Sequence, residues 1–213
     1  MSLHRPAGFL LIFAAITFWL AWALMPDAGT NDAGHILSAV LAHRDAVQWS
    51  VLVQLVSSVA FVPAIVLSKP TSGLGLSGAC FVLVGAMGMA ADAVFHLAAY
   101  YMTADGVQGE SVLEVMRLLQ TDGLKYLVPL LLPFFFGGWA YASGLRREGV
   151  VSRWPGRVFA CAFAFAVAGA GFASSIGSGR YVIVLGFLGL ITLGYSSVGY
   201  ELAWEKKTNR SSE

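Results

Sequence analysis

A chain of 213 residues that is 57% hydrophobic and only 12% charged falls far below the charged share of about 25% usual in water-soluble domains. Its formal net charge of +1, with no concentrated basic patch, argues against a nucleic-acid partner. The lipid bilayer is therefore the expected solvent and partner, and little chain is left for a soluble domain.

Crossing about 30 Å of hydrocarbon takes about 20 mostly apolar residues. Six segments meet that length: about 7–25, 47–67, 76–101, 124–145, 156–175 and 180–203. The expected fold is an all-α integral membrane protein, a single domain over 1–213 with six transmembrane helices in one bundle. The first segment begins like a secretory signal, with His4 and Arg5, an apolar run and then Ala21-Trp22-Ala23 as a cleavage-like site. Its apolar run of about 18 residues is long for a signal, so a retained transmembrane helix is expected.

Between spans one and two, Asn31 or Asp32 can cap a helix that puts Ile36, Leu37, Val40, Leu41 and Val47 on one face and His35, Ala39 and His43 on another. Span two carries Gln54. The connection Ser68 to Gly75 is a Pro/Gly/Ser turn; Gly73, Gly75 and Gly78 lack the strand context of a nucleotide site and read as a flexible connection. Span three holds two ionisable residues, Asp92 and His96. Beyond it, Val112, Leu113, Met116 and Leu119 recur at helical spacing opposite Glu110, Glu114, Arg117 and Gln120. The two loops are thus predicted to form amphipathic helices lying on the membrane surface or folded over the bundle.

Span four carries Pro129 and Pro133, each of which removes a helix hydrogen bond and frees a carbonyl one turn earlier. A kink is expected there, with Asp122 and Lys125 one turn above it. A basic hairpin, Arg146 to Pro155, leads into span five, where Ala160, Ala164 and Ala168 recur every four residues. Gly186, Gly189, Gly194 and Ser197 dot span six. Small residues let membrane helices approach closely, so spans five and six are expected to pack through them. Cys80 and Cys161 belong to no CxxC pattern and read as small core residues.

With a cytoplasmic N-terminus, six spans put Arg5, Lys69, Arg146, Arg147, Arg153, Arg157, Lys206, Lys207 and Arg210 inside, and Arg44, Arg117, Lys125 and Arg180 outside. The positive-inside rule then predicts an inner, plasma-membrane location with both termini cytoplasmic. Asp27, Asp32, Asp45, Asp105, Glu110, Glu114 and Asp122 make the outer side negative, which favours cations over anions.

The chemistry concentrates at Asp92 and His96, four residues apart on one helix face. With Met89 near mid-span, Asp92 lies about 5 Å and His96 about 11 Å outward of the midplane. That is too deep for a short carboxylate to reach water, so Asp92 must face the bundle interior or a wet cavity and find a partner. His96 is the nearest candidate, while Lys125 and Gln54 could reach the same cavity from other spans. The pair could relay protons, hold a cation, or present His96 to a divalent metal with Asp92 and one of His35 or His43. No HxxxH, HExxH or CxxC spacing supports a metal, and His35 and His43 stand about 12 Å apart on one helix. Haem would call for histidines facing each other from different spans, and His96 is the only one in a span.

Six spans with elaborated outer loops resemble, in topology alone, the substrate-capturing subunits of energy-coupling-factor vitamin transporters; no residue carries over. The leading expectation is an outward-facing polar cavity that binds a small ligand or cation in a transporter or binding subunit, with Asp92, His96, Gln54, Lys125 and Asp122 as ligand-binding candidates. One alternative is a structural or assembly subunit of a larger membrane complex, in which Asp92 and His96 merely bond helices. The other is a membrane enzyme acting on a lipid or quinone, although no catalytic motif is visible.

Overall fold

In hydrocarbon every backbone N–H and C=O must be bonded within the protein, which a helix does for itself. The computed structural model is accordingly helical throughout; it describes residues 4–26, 32–104, 107, 109–173 and 180–204. Its elements are α1 (His4–Leu24), α2 (Ala33–Ala42), α3 (Arg44–Ser68), α4 (Gly73–Met102), α5 (Glu110–Leu118), α6 (Leu124–Arg147), α7 (Trp154–Ala173) and α8 (Arg180–Ala203). Among the described residues, five helical stretches are long and apolar enough to cross a membrane: α1, α3, α4, the continuous helix Glu110–Arg147, and Tyr181–Ala203 within α8. Large apolar side chains such as Val59, Met87 and Val182 cover their outer surface, and Val167 does the same on α7. A soluble monomer rarely shows so extensive an apolar exterior, and the chain reads as a membrane protein.

Two expectations change in detail. The segment placed at 156–175 is α7, whose apolar stretch Trp154–Ala170 is shorter than the other five. The second loop helix and span four are not separate elements, because α5 runs into α6 through a π-helical turn, Leu119–Gly123. Gly123 is the residue in that turn that most disfavours helix, at a cost of about 1 kcal/mol, and it is packed: a Cβ there would lie 2.5 Å from Cζ of Phe95.

The six long helices run up and down. Contacts between α1 and α3 (Ala14 with Ser57, Ala21 with Ser50) are antiparallel, as are those of Gly78 with Tyr141 and Gly88 with Leu130 between α4 and α6. Phe159 on Gly194 and Gly169 under Ile183 orient α7 against α8 in the same way. Finally, Gly8 meets Gly199 and Ala203, and the Phe9 and Trp204 rings stand 5.0 Å apart. The start of α1 and the end of α8 therefore share one end of the bundle.

The tightest seam joins α4 to α6. A Cβ on Gly78 would lie 2.2 Å from the Tyr141 nitrogen, one on Gly85 2.3 Å from Cβ of Phe134, and one on Gly144 2.2 Å from Cα of Gly75. These are backbone-to-backbone approaches that only glycine permits. They also explain the fate of the proline-bearing part of α6: residues 130–134 press on Gly85 and Gly88. At the centre, the Phe134 ring packs against Phe18, Phe61 and Tyr195 at centroid distances of 5.1, 5.0 and 4.9 Å. The Tyr195 hydroxyl donates to the Phe134 carbonyl at 2.5 Å.

The alanine stripe of α7 does not make the expected seam. Ala160, Ala164 and Ala168 face outward, and contact with α8 runs instead through Phe159 on Gly194 and Phe165 on Gly186. Large rings seated on glycine bury more area than alanine on glycine would, so the aromatic face wins the interior. Cys80 and Cys161 are likewise exposed on the bundle surface rather than in its core.

At the end shared by the start of α1 and the end of α8, two carboxylates fasten the short connections. Oε1 of Glu148 accepts from the Thr71 and Ser72 amides at 2.9 and 2.7 Å, and Ser72 Oγ in turn caps α4 at Gly75 N. Partial burial raises the Glu148 carboxyl, but the bonds from Ser72 and Thr71 outweigh it and leave the group below its ordinary value. Glu201 similarly holds the amide and hydroxyl of Ser152.

At the opposite end, α2 and α5 lie over a second apolar cluster that includes Met25, Val40, Val47, Val51, Ala93, Ala99 and Met116. Asp32 caps α2, accepting from His35 N at 2.7 Å; the alternative cap, Asn31, lies outside the described residues, as do Asp27 and Asp105. Leu41, expected on the face of α2 shared with Ile36, Leu37 and Val40, is exposed, whereas Ala39, expected on the face of His35, is buried. Arg44 fastens this end, donating through Nη1 to the Thr103 carbonyl and hydroxyl at 2.8 and 2.7 Å and to the Tyr100 carbonyl at 3.3 Å. Its guanidinium also lies 4.1 Å from the centre of the Tyr100 ring. A cation there meets the negative end of the α4 dipole.

Candidate functional site

Helix α3 carries a polar stripe through its apolar length: Ser50, Gln54, Ser57 and Ser58 are all buried, spaced to share one face. Ser50 and Ser57 donate to the α1 carbonyls of Ala21 and Ala14 at 2.7 and 2.8 Å. Gln54 turns to α4 and donates through Nε2 to Oδ2 of Asp92 at 2.7 Å. Asp92 is 5% exposed and sits at the join of the two apolar clusters, between Met89 of the central one and Ala93 of the other.

His96 Nδ1 stands 3.7 Å from the same Oδ2, within ion-pair reach but too far for a hydrogen bond. That nitrogen is buried with no hydrogen-bond partner, and so is Nε1 of Trp22. The Trp22 and His96 rings meet edge to face at 5.9 Å. Helices α1, α3 and α4 thus converge on a carboxylate that accepts one hydrogen bond among the described residues, beside two polar atoms left unsatisfied. Buried polar atoms of this kind cost about 1–3 kcal/mol each unless something bonds them.

Of the other candidates, Lys125 and Asp122 pair with each other at 2.5 Å, with side chains 70% and 59% exposed, at the start of α6. Asp92 therefore takes its partner from α3 rather than from Lys125. His35 on α2 and His43, at the junction of α2 and α3, are both exposed. Among the described residues no three of His, Cys, Asp or Glu come close enough together to hold a metal ion, so neither histidine joins Asp92 and His96 in such a group. The serines of α3 and the ring of Trp22 were not among the site candidates read from the sequence. The periodic spacing of Ser50, Gln54 and Ser57 in an apolar helix was the available signal for the former; nothing local ties Trp22 to His96.

No protein-family model, curated protein or solved structure matches the chain.

Proposed function

We propose that the chain is a six-span membrane protein of the plasma membrane whose Gln54–Asp92–His96 node binds a small polar ligand or cation, in a transporter or binding subunit. Support for six spans comes from α7, whose 20 residues are about the length a crossing needs, and from the antiparallel order that returns α8 beside α1. The end where α1 starts and α8 finishes carries Lys69, Arg146, Arg147, Arg153 and Arg157, which the positive-inside rule assigns to the cytoplasm. A C-terminal reporter should then be protected from external protease, and an accessible one would overturn this orientation.

The observation that carries the functional reading is the under-bonded carboxylate. Ionisable residues inside a membrane are costly and usually mark ligand or ion paths, and here the neighbouring His96 and Trp22 nitrogens offer further polar atoms for an occupant. The alternative, a structural or assembly subunit, is favoured by the direct Gln54–Asp92 bond, which ties α3 to α4 without any ligand. Thermal unfolding of the detergent-solubilised protein against alkali and divalent cations and small polar solutes separates the two. A ligand at a hundred times its Kd stabilises by about 2.7 kcal/mol, and Asp92→Asn and His96→Gln should abolish that response. Variants that lose stability while no response changes would support the structural alternative.

A further inference from the structure

At the end of the bundle opposite the Asp92 node, a cleft of about 310 Å³ opens between the end of α6 and the start of α7, lined by Arg146, Arg153, Arg157, Ser143, Ser152 and Trp139 among others. Three guanidinium groups around one small cleft repel one another unless an anion joins them. None of them forms an ion pair or side-chain hydrogen bond among the described residues. The carboxylates nearby are engaged elsewhere, Glu148 on the Thr71 and Ser72 amides and Glu201 on Ser152. Among the described residues Glu201 is the one acidic group bonded to a lining residue, so positive charge there exceeds negative three to one.

We propose that this cleft binds the phosphodiester headgroup of an anionic phospholipid. Arginine presents a planar fork that matches two phosphate oxygens at once, and basic pockets between membrane helices at the cytoplasmic side are suited to such headgroups. Two features favour a lipid over a soluble phosphate. Trp139, on the cleft wall, is exposed on the apolar exterior of α6. The outward alanines of α7 also begin at the cleft with Ala160 and continue through Ala164 and Ala168, an exposed apolar surface beside the cleft that suits an acyl chain. The proposal goes beyond the reading of the Asp92 node and uses none of its residues.

The test titrates phosphatidylglycerol into the full chain in detergent micelles and reads the apparent Kd by native mass spectrometry, with phosphatidylcholine and inorganic phosphate as parallel probes. A basic residue near an anionic surface is worth roughly fivefold in affinity, so Arg153→Gln/Arg157→Gln should weaken phosphatidylglycerol about 25-fold. The charge-matched pair Lys69→Gln/Arg147→Gln, at the same end but off the cleft, should change it less than fivefold. Gly156→Leu keeps all three arginines and fills the cleft, and it too should displace the lipid. Equal losses from both double variants would reduce the effect to general surface charge and overturn the proposal. So would phosphatidylcholine binding as tightly as phosphatidylglycerol, undisturbed binding in Gly156→Leu, or inorganic phosphate occupying the cleft while phosphatidylglycerol does no better.

Discussion

The bond from Gln54 to Asp92 can be measured by a double-mutant cycle. Gln54→Leu keeps most of the side-chain volume and removes the donor that lies 2.7 Å from Oδ2 of Asp92. The carboxylate, 5% exposed, then has no hydrogen bond from its neighbours, since His96 Nδ1 stands 3.7 Å away. Leaving a buried acceptor unsatisfied costs about 1–3 kcal/mol. For a chain of this length that is a fall in Tm of roughly 2–12 °C, taking about 2–4 °C per kcal/mol. Asp92→Leu alone strands the Gln54 amide and should be destabilising too. Gln54→Leu/Asp92→Leu removes both polar groups and should recover much of the loss, as apolar replacement of a buried pair often does. Interhelix hydrogen bonds in membranes give coupling energies averaging about 0.6 and reaching about 1.7 kcal/mol, so a value between these is expected. Thermal unfolding followed by tryptophan fluorescence in one detergent supplies all four stabilities. Additivity to within about 0.3–0.5 kcal/mol, the scatter of independent sites, would show that the two residues do not bond and would remove the centre of the proposed node.

Gly85→Ala should lose about 1–3 kcal/mol by forcing α4 off α6, whereas Gly73→Ala, where an added Cβ meets nothing within 4 Å, should be near neutral; equal stabilities in the same unfolding assay would contradict the seam. Arg44→Lys keeps the charge but loses the fork that reaches Thr103 and Tyr100, so it should be less stable than wild type by about 1 kcal/mol, and an unchanged Tm would count against that cap. Because the Glu148 carboxyl is held below its ordinary value of 4.5, its contribution is fully present above that pH and lost as pH falls through the lowered value. Glu148→Gln should therefore flatten the acid limb of a stability-against-pH curve, and a limb as steep as that of wild type would refute the assignment.

The helices and their approximate limits were legible in the sequence because a bilayer admits few structures: an apolar run of sufficient length must satisfy its own backbone, and only a helix does so alone. Asp92 and His96 were legible as neighbours because four residues make one helical turn. Which sides of the helices meet was not legible, since lipid is as apolar as the bundle core and removes the contrast that marks the buried face of a soluble helix. Alanines and glycines both looked like packing residues. Tertiary structure chose Phe159 and Phe165 on glycines for α7, turned Ala160, Ala164 and Ala168 outward with Cys161, and pressed the glycines of α4 onto the backbone of α6. The same choice decided the partner of Asp92: Lys125 carries the more obvious charge but finds Asp122 one turn away at the exposed end of its helix, whereas Gln54, 38 residues from Asp92 in the chain, reaches it because α3 and α4 pack side by side.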